Sequence, residues 1–162
     1  MPNEPKQNPT AAENNAISPN ARRNARHYAL QALYQWQISG TPAEDLVAEF
    51  FHYHVDKKTD LDYFKDLIQG VLRQSAQLDK EIQPYLGRLF EEVDPVELAV
   101  LRLATYELLH RPDVPYRVVI NEALELTKKF GSVEGYKFVN GVLDRVAKKH
   151  RATEIGMRKN SE

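Results

Sequence analysis

Between Ala21 and Gly40 the chain carries Arg22, Arg23 and Arg26 and no acid, followed by Tyr34 and Trp36 at helical spacing. Guanidiniums attract phosphate, and an exposed tyrosine or tryptophan offers a flat face to an unstacked base. This combination of residue types is therefore the chemistry of single-stranded RNA binding. The surroundings sharpen the contrast, because the 162 residues together have a formal net charge of only −1. Residues 41–136 hold eighteen acids against eleven bases, whereas residues 137–159 hold seven bases against two acids. Such a dipolar molecule is expected to hold a polyanion on one face and a basic protein on another.

Other chemistries find little support. Cysteine is absent, which removes thiolate ligands, thiol nucleophiles and disulfides together. The chain has neither a glycine-rich phosphate cradle nor a GxSxG elbow. His52, His54 and Asp56 are the one cluster resembling metal ligands, but a two-residue spacing turns the two imidazoles to different sides of a helix. Glu91 and Glu92 are adjacent and diverge, and an acidic helix start explains them. No catalytic residue, metal or other cofactor is expected. Glu107 is different, since it falls on an apolar helical stripe where an unpaired carboxylate is costly, and it is expected to meet a buried donor.

These residues must be held by helices. Apolar side chains recur at helical offsets, as in Leu61, Phe64, Leu67, Ile68, Val71, Leu72 and Leu78, and no segment settles into strand alternation. Helix starts are marked at Ser18-Pro19, Thr41-Pro42, Asp94-Pro95 and Ser132, and stops at Gly40, Gly87 and Gly131, with Pro84 a further break. Pro95 to about Arg111 is apolar nearly all round and should be the central helix. The expected class is all-α, a compact bundle of six or seven helices in a single domain. Residues 1–20, with four prolines and five asparagines, are expected to be a disordered tail, residues 21–151 the folded domain, and residues 152–162 a flexible C-terminal tail. Neither a membrane span nor a secretory signal is present, so a cytoplasmic location is expected.

Two residues keep two readings each. Tyr34 shares a face with Arg23, His27 and Leu30, and serves either as a base platform or as packing. Gly141 sits in mid-helix at a cost of about 1 kcal/mol relative to alanine, which calls for a close approach by another helix or by RNA, with packing the simpler choice.

Ala21-Arg22-Arg23 through Ala32-Leu33-Tyr34-Gln35-Trp36-Gln37, then Pro84-Tyr85-Leu86, Val114-Pro115-Tyr116, Ile120-Asn121-Glu122-Ala123 and Lys137 to Asp144 together resemble the NusB family of bacterial transcription antitermination factors. The resemblance covers residues 21 to about 151. It implies a non-enzymatic helical protein that binds the single-stranded boxA element of nascent ribosomal RNA with NusE, a small-subunit ribosomal protein, and joins the RNA polymerase elongation complex to resist premature termination. By position it implies Arg22, Arg23, Arg26, Tyr34, Tyr85, Lys137 and Phe138 on the RNA side, and Glu91 and Glu97 on the surface shared with the basic partner. Two other functions stay open: the targeting module of a split ribosomal RNA methyltransferase, and a protein-only adaptor.

Overall fold

Pro19 presets the first turn of α1 (Pro19–Ser39) in the computed structural model, which describes residues 19–53 and 56–161. Gly40 ends α1 with φ of 69°, a left-handed conformation that suits glycine. The chain continues through α2 (Ala43–Tyr53), α3 (Leu61–Arg73) and α4 (Ser75–Leu86), and Gly87 closes α4 at φ of 65°. A single 3₁₀ turn, Phe90–Glu92, leads to α5 (Pro95–His110), whose N-cap Asp94 accepts from the amides of Val96 at 2.9 Å and Glu97 at 3.2 Å. Then come α6 (Tyr116–Phe130), α7 (Val133–His150), capped by the Ser132 hydroxyl, and α8 (Ala152–Ser161).

The fold is all-α and forms one domain, as expected, but with eight α-helices among the described residues rather than six or seven. One extra helix arises because the long apolar pattern from Leu61 to Leu78 is split at Gln74, a single non-helical residue that redirects the chain so that α4 crosses α5 and α7. Another is α8, where the sequence suggests only a tail. Pro84 does not break α4; it lies exposed in its last turn, where the carbonyl of exposed Lys80 that loses a donor is open to water. The expected N-terminal tail falls, up to residue 18, outside the described residues, as does His54.

The central helix is α5, which touches α1, α3, α4, α6 and α7. Its apolar girdle explains this position: Leu101 is fully buried, as are Leu33 of α1, Phe64 and Leu67 of α3, Ile82 of α4 and Leu143 of α7. Each such side chain contributes about 1.5–3 kcal/mol by leaving water. The buried Arg151, between α7 and α8, gathers the carbonyls of Glu107, Leu108, Arg111 and Val114 at 2.8–3.2 Å, so part of the basic C-terminal run is a cap on α5 rather than a surface charge. At 1.5 Å per residue the 16 residues of α5 span about 24 Å, which separates two poles. The start of α1 lies at the C-terminal pole of α5, beside Glu107 and Asp113, while its end lies at the N-terminal pole, where Gln37 donates to the Pro95 carbonyl at 2.8 Å.

Candidate RNA interface

The three arginines that stand out in the sequence all sit at the C-terminal pole and all have acidic partners. Arg26, 4% exposed, donates through Nε to both oxygens of Glu107 at 2.8 and 3.1 Å, and the Tyr63 hydroxyl closes on the same carboxylate. This is the buried donor that Glu107 requires. Burial pushes the Glu107 carboxyl above its usual range while Arg26 and Tyr63 hold it back; the same burial, with Glu107 alongside, drives the Tyr63 phenol up. Arg26, expected on the RNA side, is instead buried in this structure, its guanidinium the internal counter-charge of a carboxylate in the core. Arg22 lies 3.5 Å from Asp113 and 3.9 Å from Asp60, with its guanidinium 4.5 Å from the Tyr63 ring centre. Arg23 is more open, its side chain 59% exposed, yet it forms a bidentate pair with Glu122 of α6.

The expected aromatic residues lie elsewhere. Tyr34, 42% exposed, is near the far end of α1, at the N-terminal pole of α5. It lines a groove of about 460 Å³ between α1, Val96 at the start of α5 and Phe130 at the end of α6, with buried Leu30 and Phe50 as its floor. Along one edge, His27 packs 4.9 Å from Phe130, ring centre to ring centre, and the Lys129 ammonium lies 3.5 Å from His27 Nδ1. Burial and then Lys129 lower the His27 pKa, so this imidazole holds its proton less readily than a free one. No carboxylate pairs with Lys129 or Lys137 among the described residues.

A second cluster at this pole joins the α4–α5 connection to α7. The Arg88 guanidinium lies 4.4 Å from the centre of the half-buried Phe138 ring, beside exposed Lys137. Glu97 is half-buried next to Gly135 of α7; burial and then Asp94 raise its pKa, with Arg88 opposing. Tyr85 is half-buried against the core at the end of α4. Glu91 is exposed at the mouth of another groove, about 470 Å³, formed with Trp36, Phe90 and Arg102. Trp36 is thus half-buried, with one side on the core and the other on this groove. Ile38, 61% exposed, borders both grooves.

The glycines overturn one packing expectation. A Cβ on Gly141 would meet nothing within 4 Å, so no helix approaches it and packing does not explain it. The close approaches between helices are at Gly70, where a Cβ would fall 2.1 Å from the Tyr106 ring, and at Gly135, where it would fall 2.6 Å from Glu97 Oε1, while at Gly131 it would meet the Thr127 carbonyl of the preceding turn at 2.9 Å. Gly141 follows Lys137 by one turn on an exposed face of α7, leaving the backbone there open to an outside strand.

Residues 23–148 match the NusB family. The chain belongs to the NusB family. A transcription antitermination protein NusB from Xanthomonas oryzae pv. oryzae is 53% identical over 148 residues, covering 91% of this chain and 95% of its own. One from Xylella fastidiosa is 52% identical over 147 residues, covering 91% and 94%. Among solved structures, T. maritima NusB matches with a TM-score of 0.71 at 35% identity, over 80% of this chain and 92% of that one. A chain from a crystal structure of the antitermination factors NusB and NusE in complex with dsRNA matches with a TM-score of 0.74 at 28% identity, over 82% and 99%.

Within this NusB fold the structure brings Tyr34, Lys137, Phe138 and Glu97 to one pole of α5 and leaves Arg22, Arg23 and Arg26 at the other. Sequence reasoning missed Arg88 and Phe130 as members of the same pole, and Lys129, which lies next to Phe130 and also lines a groove of about 430 Å³ with Arg23, Glu122 and Glu125. The signal was Lys128-Lys129-Phe130 just before Gly131, two cations and a ring at a helix end, hidden inside a segment that is acidic on average.

Proposed function

We propose that this chain is a transcription antitermination factor that acts by binding rather than catalysis: with NusE it holds single-stranded boxA RNA of a ribosomal leader, and the complex joins elongating RNA polymerase in the cytoplasm. The observation that carries this reading is the convergence towards one pole of ring faces and of cations that form no ion pair among the described residues: Tyr34 and Phe130 with Lys129, and Phe138 with Lys137 and Arg88. Rings stack on bases of any identity, cations fix the phosphates, and neither needs a regular duplex. The family relationship and the solved complex of the antitermination factors NusB and NusE with dsRNA support RNA and NusE as partners.

Tyr34, Tyr85, Lys137 and Phe138 form the RNA side, with Arg88 and Lys129 added. Arg22 and Arg23 are peripheral, because each must leave an acid before it can take a phosphate. Glu91 and Glu97 border the groove beside Trp36 and the Phe138 cluster, where their charge suits a basic ribosomal protein. RNA and partner then meet along the Ile38 ridge, so each protein extends the other's surface. The test is a gel-shift titration with a boxA-like single strand and a scrambled control, with and without NusE. Preference for boxA that strengthens with NusE is the expected result; equal binding of both strands under both conditions would reject it.

A further inference from the structure

One guanidinium ties together the elements that frame the groove beside Trp36. Arg102 of α5 donates through Nε and Nη2 to the two oxygens of Asp79 on α4 at 2.9 and 3.0 Å, and through Nη1 to the Gln37 side-chain oxygen on α1 at 2.8 Å. Gln37 extends the tie by donating to the Pro95 carbonyl at 2.8 Å, two residues before Glu97. The same guanidinium lies 5.7 Å from the centre of the Trp36 ring and 6.0 Å from that of Phe90, the residue before Glu91. With its side chain 12% exposed and its charge met by Asp79 in a bidentate pair, Arg102 has no free charge to offer a phosphate.

Trp36 and Phe90 are the aromatic walls of the groove at whose mouth Glu91 stands. Both rings are only half-buried, so packing on the core leaves part of each to be held by something else, and Arg102 lies within cation–π reach of both. We propose that Arg102 is a positioning residue for docking of the basic ribosomal partner. Through Gln37 it sets the end of α1 and Trp36, and through Phe90 it sets the turn that carries Glu91, so the groove is already shaped when the partner arrives. The inference rests on the reading of Glu91 and Glu97 as the surface for that partner. Its physical basis is preorganisation: a groove whose walls are held before association loses less of the docking energy to ordering them. A lysine would not serve, because a single ammonium lacks the planar fork that reaches Asp79 and Gln37 together while lying beside two rings.

The chain holds a single tryptophan, Trp36, so 5-fluorotryptophan labelling of the full chain gives one fluorine resonance that reports on the groove itself. Arg102→Met, Gln37→Leu and the double variant, each checked for folding by circular dichroism, are compared with the unaltered chain by that resonance and by titration with NusE and, separately, with the boxA-like strand. Each single variant is expected to move or broaden the resonance and to weaken NusE about tenfold, while boxA affinity without NusE changes by less than about twofold. The double variant should lose no more than about tenfold, because both changes cut the same chain of contacts. Arg102→Lys, which keeps the charge, should fail to restore NusE binding. Normal NusE binding by Gln37→Leu beside weakened binding by Arg102→Met would make Arg102 a direct contact and overturn the positioning role. Full binding by Arg102→Lys, or by every variant, would overturn it as well and leave the partner reading standing. If Arg102→Met does not fold, Gln37→Leu, which leaves the pair of Arg102 and Asp79 intact, carries the test alone. An unaltered chain that does not bind NusE overturns the partner reading itself, and the proposal with it.

Discussion

The two ends of the central helix hold similar residue types and use them in opposite ways. At its C-terminal pole, Arg22, Arg26 and Arg111 gather around the Tyr63 ring at 4.5–5.3 Å, and Glu107, Asp113 and Asp66 pair with them. Towards its N-terminal pole, Lys129 and Lys137 form no ion pair among the described residues, although Lys129 shares a groove with Arg23, Glu122 and Glu125, and Tyr34 and Phe130 keep part of their rings in water. The comparison teaches that a cluster of cations marks a binding surface only where its counter-charges are missing. Where they are present, low dielectric turns the same groups into scaffold.

The largest effect should come from breaking the scaffold pole. Arg26→Met leaves Glu107 buried without its cation and is expected to cost about 3–5 kcal/mol, read by urea denaturation, with much of the loss recovered when Glu107→Leu is added. Recovery that fails would show that Arg26 does more than neutralise Glu107. Next comes Gly70→Ala, whose new methyl collides with the Tyr106 ring and should destabilise by about 1–3 kcal/mol in the same assay.

At the other pole the same kinds of change should move binding rather than folding. Tyr34→Ala and Phe138→Ala should each weaken the boxA strand by about 1–3 kcal/mol with a near-normal urea midpoint; a variant that unfolds instead assigns that ring to packing. Gly141→Ala, placed where a Cβ meets nothing, should stabilise the protein by about 0.5–1 kcal/mol. The smallest effect is a pH dependence. His27 has a folded pKa below its ordinary 6.5, so the folded state takes up the proton less readily than the unfolded chain. The stability associated with neutral His27 is present above pH 6.5 and is lost as pH falls below it, and His27→Gln should remove this contribution from a pH series of thermal melts.

Much of the fold was legible because local chemistry and global packing agree. Pro19, Asp94 and Ser132 start helices, Gly40 and Gly87 end them in left-handed conformations, and the apolar period places α5 at the centre. The split at Gln74 was not legible, since Val71 and Leu78 stay in phase across it and only the crossing of α4 over α5 requires the turn. The placement of the candidate site's residues was not legible in the sequence. Tyr34 follows Arg23 by three turns on one face of α1, yet the partners that decide accessibility, Glu122, Glu107 and Asp113, lie about ninety residues further along. Lys129 and Phe130 join Tyr34 only because α6 runs back along α5, and nothing in the local pattern of either segment records that meeting.

The central claim is that RNA is held at the N-terminal pole of α5 and that the conspicuous arginines belong to the scaffold. Its most direct test is the salt dependence of boxA affinity in two double variants, Lys129→Ala/Lys137→Ala and Arg22→Ala/Arg23→Ala, both confirmed as folded. Removing the two lysines should flatten the slope of log affinity against log salt by about 1–1.5, while removing the two arginines should change it by much less than that. The reverse order, a flat slope without the arginines and an unchanged one without the lysines, would place the RNA at the other pole and contradict the claim.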